Sequence, residues 1–161
     1  MPSYTDPNGC NGSPKGKEKR LSDMGYSKTD VAILTIARLY FLTFSDPCSH
    51  AWMRAATVAG ASFGQPDGAA IAAKVLDAVN ALRAARSTAF EFSSPECPGC
   101  SQILCEAERQ FMALYHALAQ GEQSSAHGHA MLLCEGGNSA HLMAALRALY
   151  DQIYAPRPTM V

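Results

Sequence analysis

The stretch Val31 to Phe44 constrains this chain more than any other part of it. Wound at 3.6 residues per turn, Val31, Ile33, Leu34, Ile36, Ala37, Leu39, Tyr40, Phe41, Leu42 and Phe44 cover nearly every side of a helix. Arg38 is the one charge among them. A helix apolar all round has to be enclosed by other elements. At about fourteen residues the run falls short of the roughly twenty that a bilayer core requires, so it reads as a buried central helix. Its start is encoded locally. Ser27 followed by Asp30 is the S-x-x-D capping box. Asp46-Pro47 stops the helix and puts proline at the first position of the next.

The surroundings read as helical too. Alanine, the best helix former, is dense from Ala51 to Ala89 and from Ala107 to Ala148, and β-branched residues cluster only around Val31 to Ile36. A second helix is expected from Pro47 to about Ala61, carrying the only tryptophan, Trp52. A third is expected from Pro66 to about Arg86, with Ile71, Val75, Leu76, Val79 and Leu82 in a stripe. A fourth is expected from near Ser101 to Ala119, ended by Gly121, with Ile103, Leu104, Ala107, Phe111, Leu114, Tyr115 and Leu118 inward. A fifth spans Ser125 to about Cys134. A sixth, capped by Asn138 or Ser139, runs to Tyr154 before Pro156 and Pro158. Thr88 to Phe92 alternates and reads as briefly extended, but no series of alternating strands argues for a sheet. The expected fold is all-α: a compact bundle of about five or six helices, one domain over residues 21–161. Residues 1–20 are rich in proline, glycine and lysine, with little to bury, and read as a flexible tail.

Only 17% of residues are charged and the net charge is -1, so nothing in the totals draws nucleic acid or an anionic membrane. With no apolar leader segment, the chain is expected to be soluble and cytoplasmic, with no membrane partner. In such a reducing compartment the six cysteines should be buried thiols, metal ligands or redox groups, and stable disulfides are not expected.

Cys97-Pro98-Gly99-Cys100, in a loop of turn formers that begins at Ser93, is the most informative motif. A tight C-x-x-C turn can set two sulfurs on one metal and aim backbone N–H groups at the thiolates. With Ser101 where glycine is common, the motif resembles the cysteine knuckle of zinc-ribbon and rubredoxin-like sites. That resemblance implies a metal, and zinc requires four ligands in a tetrahedron. Further candidates are Cys105, Cys134, His127 and His129. In one continuous helix Cys100 and Cys105 would point about 140° apart. They can share a metal if the helix begins only at Ser101. His127-Gly128-His129 would lie at a helix start, where a loop can aim both imidazoles inward. With Cys134 as fourth thiolate, an iron–sulfur cluster fits as well as zinc. A dithiol switch is a further reading, since the pair precedes a helix N-terminus that favours thiolate. The plainest reading makes the cysteines packing residues. It suits Cys105 and Cys134 and suits Cys97 and Cys100 poorly, because those two sit in a polar loop.

These readings point to a small cytoplasmic regulatory or adaptor protein with a zinc site around Cys97 and Cys100 and a protein partner. The alternative is an iron–sulfur or thiol redox sensor, including a transcriptional regulator. A homodimer is left open, because part of the apolar helix could form a dimer face. An enzyme has the least support. Cys48 and His50 lack a visible orienting group. Glu106 and Glu108 lack the Glu-x-x-His partners of a di-iron bundle. No nucleotide loop, nucleophile elbow or H-E-x-x-H is present. His116 and His141 read as ordinary surface residues.

Overall fold

The computed structural model describes residues 12–155. Pro156, Pro158 and the first eleven positions of the expected tail lie outside them. The described residues contain six α-helices: α1 Lys28–Ser45, α2 Ala51–Phe63, α3 Asp67–Ala85, α4 Glu106–Gln120, α5 Gln123–Leu133 and α6 Ala140–Tyr154. Two short strands, β1 Lys19–Arg20 and β2 Ile103–Leu104, complete the elements used below. The all-α bundle is as expected.

The capping box forms. The Ser27 hydroxyl accepts from the Asp30 N–H at 3.1 Å and the Asp30 carboxylate accepts from the Ser27 N–H at 2.9 Å. The six consecutive residues Ile36 to Phe41 are all buried, which is what enclosure of a helix apolar on every side requires. α1 packs on α2, α3 and α4; α3 packs on α6, α6 on α4, and α4 on α5. α3 approaches α2 closely enough that a methyl on Gly68 would lie 2.6 Å from the Ala59 carbonyl oxygen, so only glycine fits there. Burying Ile33, Ile36, Val75, Val79, Leu82, Phe111, Leu142, Leu146 and Leu149 to 3% exposure or less places the core between α1, α3, α4 and α6. Each contributes roughly 1.5–3 kcal/mol relative to exposure. No helix of the described residues is long and apolar enough to cross a membrane.

Three boundaries differ from the sequence reading, each for a tertiary or local reason. Pro47–Ser49 forms a separate 3-10 turn; His50 then adopts the left-handed conformation (φ 52°) and α2 starts at Ala51. The fourth helix starts at Glu106 and not near Ser101: Cys100–Gln102 is a 3-10 turn, and β2 pairs antiparallel with β1, Lys19 opposite Leu104 and Arg20 opposite Ile103. Finally, α5 starts at Gln123, two residues before the expected Ser125. The β1–β2 ladder also falls across the expected boundary at residue 20. Residues just before it are held as well, Lys17 by Glu106 at 3.2 Å and its carbonyl by Arg109 at 2.9 Å.

Candidate functional site

Between α3 and α4 the chain crosses the bundle as a twenty-residue loop, residues 86–105. Phe90 and Phe92, two positions apart, turn the same way and stack on Phe41 of α1, with centroids 4.4 Å and 5.7 Å away. The alternation noted in the sequence therefore serves packing, and no strand forms there.

The far end of the loop is fastened by a buried ion pair. Arg38 of α1 and Glu108 of α4 have side chains 3% and 1% exposed. The guanidinium donates to both carboxylate oxygens at 2.6 Å and 3.0 Å, the planar two-pronged geometry that arginine suits. Two more of its N–H groups donate to the Ser101 carbonyl at 2.8 Å and the Ile103 carbonyl at 2.7 Å. The Glu108 carboxylate also accepts from the Ser93 N–H at 3.1 Å and the Cys105 N–H at 3.0 Å. One pair thus satisfies four loop backbone groups that would otherwise be stranded. It also explains the late start of α4. Arg38 takes the carbonyls of Ser101 and Ile103, and Glu108 makes Cys105 the first capped position.

Cys97 and Cys100 lie between these anchor points, at the tip. The Ser101 N–H donates to the Cys97 carbonyl at 2.9 Å and the Cys100 N–H to Cys97 Sγ at 3.2 Å. The two sulfurs are joined as a disulfide, with Cα atoms 5.1 Å apart. This corrects the expectation of free thiols: a turn that gathers two sulfurs for a metal gathers them equally for each other.

The other predicted ligands do not join them. Among the described residues no three histidine, cysteine, aspartate or glutamate side chains converge as a metal site. Cys105 donates its thiol to the Glu91 carbonyl at 3.2 Å. Burial, together with the Glu108 charge, pushes that thiol up to about 12, so it is a poor thiolate donor. Cys134 is buried at the end of α5, and burial raises its thiol too. His127 and His129 lie within α5 and not at its start. Two residues along a helix is about 200°, so they leave on opposite sides. His127 is exposed, and His129 Nδ1 is bonded to Gln110 Oε1 at 2.6 Å. The described residues therefore gather no set of four ligands for zinc or an iron–sulfur cluster.

Sequence reasoning missed Arg38 and Glu108 as the positioning pair. One signal existed: a lone charge inside an apolar helix needs a buried partner. Beside the loop lies an open groove of about 350 Å³ between Phe41, Phe44, Arg83 and Phe90. Arg83 is stacked 3.6 Å over the Phe44 ring there, and the lining hydroxyls of Ser87 and Thr88 are both spent on the Glu135 carboxylate. Comparison with known proteins gives no matching family model, no matching curated protein and no matching solved structure.

Proposed function

We propose that the chain is a small cytoplasmic regulatory or adaptor protein whose output is set by the redox state of Cys97 and Cys100. The observation that carries this reading is the pairing of the two sulfurs at the tip of a loop whose base is held independently by Arg38 and Glu108. Oxidation forms the S–S bond and releases two electrons and two protons, which hydrogen peroxide takes up as two waters. A small thiol reverses it, two equivalents becoming their own disulfide. The fastened base lets the tip change while the bundle stays folded.

A route to a partner starts next to the pair. Glu96, which precedes Cys97, is ion-paired to Arg54 of α2. On the same helix Trp52 and Met53 are 52% and 55% exposed. Opening the turn frees Glu96 and loosens that link, and a protein docked on Trp52 and Met53 would feel the change.

The test compares peroxide-oxidised and thiol-reduced protein by alkylation mass and by emission of Trp52, the only tryptophan. The expected result is a reversible loss of two alkylation sites, Cys97 and Cys100, together with a reversible shift in Trp52 emission. Emission that ignores the thiol state would sink the coupling. One equivalent of zinc in protein purified without oxygen, lost in Cys97→Ser, would replace the disulfide with a metal as the regulated state.

A further inference from the structure

We infer that the groove beside the loop binds a small aromatic carboxylate, its ring against the phenylalanines and its carboxylate on Arg83. The inference does not rest on the redox reading above.

The rings set the body of the ligand. Phe41 and Phe44 reach the groove from α1, Phe90 and Phe92 from the loop. Phe44 is left 37% exposed, apolar surface that an occupant removes from water. At about 350 Å³ the groove stands near the lower end of the roughly 300–1,000 Å³ of small-ligand sites. That size suits one ring with a short tail. A ring packed on phenylalanine gains stacking or edge contacts beyond the area it buries.

Charge sets the other end. No aspartate or glutamate lines the groove, whereas Arg83 and Arg86 both do. Arg86 is already spent: it is ion-paired with Glu135 and donates to the Thr88 and Leu133 carbonyls. Arg83 has no carboxylate partner among the described residues. Its Cζ lies 3.6 Å over the centre of the Phe44 ring. So close an approach puts the guanidinium face down, because an N–H aimed at the ring would hold Cζ further out. The face is used and the in-plane N–H groups are left. A carboxylate takes two of them side by side. The ring beneath holds the fork in place, so little side-chain freedom is lost when the anion arrives. One free guanidinium matches one negative charge, which favours a carboxylate over a doubly charged phosphate.

The two halves of the site differ in footing. Phe44 and Arg83 stand on α1 and α3, which pack against each other. Phe90 and Phe92 stand on the loop that carries Cys97 and Cys100. An occupant therefore joins the near half of that loop to the helices.

The experiment titrates 3-phenylpropionate, and separately its neutral amide, into the protein and follows backbone amide shifts by NMR. The acid should bind at least about fivefold more tightly than the amide, the gain from a charge-assisted contact at an exposed arginine. The largest shifts should fall on Phe44, Ala89 and Phe90. Arg83→Met keeps an apolar stem over Phe44 and removes the fork, so the two probes should bind it alike. Arg83→Lys keeps the charge without the fork and should give an intermediate preference; it also carries the test if Arg83→Met fails to fold. Phe44→Ala should weaken both probes together. Equal affinity of wild type for acid and amide, an acid preference that survives in Arg83→Met, or shifts centred away from the groove each overturns the inference. So does the absence of binding by either probe at millimolar concentration.

Discussion

The loop between α3 and α4 is held twice by the same chemistry, once inside the protein and once in water. At its far end Glu108 accepts from two loop amides, those of Ser93 and Cys105, while Arg38 takes two loop carbonyls. At its near end Glu135 accepts from the amides of Ser87 and Thr88 and from both of their hydroxyls, while Arg86 is ion-paired with Glu135 and donates to the Thr88 carbonyl and to the Leu133 carbonyl. The partners match in kind, but the side chains of the first pair are 3% and 1% exposed and those of the second 13% and 26%. Burial decides what each is worth. Water can replace every bond that Glu135 makes, whereas nothing replaces those of Glu108. The far anchor holds the cysteine turn, so the Cys97–Cys100 tip hangs from the strong clamp.

The sharpest way to break this contrast is Glu108→Gln. The shape survives but the Arg38 charge is left uncompensated in the interior, a loss of about 3–5 kcal/mol. Urea denaturation reads it, and a loss below about 1 kcal/mol would make the two clamps equivalent. Replacing both partners, Arg38→Met with Glu108→Leu, should cost less than Glu108→Leu alone and still more than nothing. The charge problem is removed, but four loop backbone groups keep no partner.

The second effect separates tip from base. Reducing Cys97–Cys100 removes a four-residue covalent loop, worth at most about 2 kcal/mol by chain entropy. Hydrogen exchange should quicken at the Cys100 and Ser101 amides and stay unchanged at Ser93 and Cys105, whose acceptor is Glu108. Equal acceleration at all four would mean that the loop opens as one unit and that the clamp does not insulate the bundle.

Glu135→Gln should have the smallest effect and the clearest dependence on pH. Hydrogen bonds from Ser87 and Thr88 draw the Glu135 carboxyl from its ordinary 4.5 down to about 2. The folded form holds the anion more tightly, so the stabilisation is fully present above about pH 4.5 and disappears as pH falls to about 2. The difference in Tm between wild type and Glu135→Gln should be constant above that window and vanish at its lower end. A difference that persists at pH 2 would place the contribution in packing and not in charge.

Much of the fold was legible because helix signals are short-range. The phase of an apolar stripe and the Ser27–Asp30 box involve residues no more than four apart, so α1, α3, α4 and α6 could be read along with the faces they bury. The site was legible only in part. The Cys97–Cys100 spacing announced that two sulfurs would meet, without saying whether a metal or a bond would join them. His127 and His129 were assigned to a helix start from which a loop could aim both inward, but both lie within α5, where two residues turn the helix by about 200° and send them to opposite sides.

By itself, then, the amino-acid order determined the helices, their inward faces and the proximity of Cys97 to Cys100. Tertiary structure alone decided which groups would surround that pair. A loop has no periodicity to read, and its backbone groups are satisfied from far along the chain: Arg38 reaches Ser101 across 63 residues and Glu108 across 70, while β1 supplies the ladder for β2. Arg38 signalled that a buried carboxylate had to exist; only the packing of α1 against α4 chose Glu108.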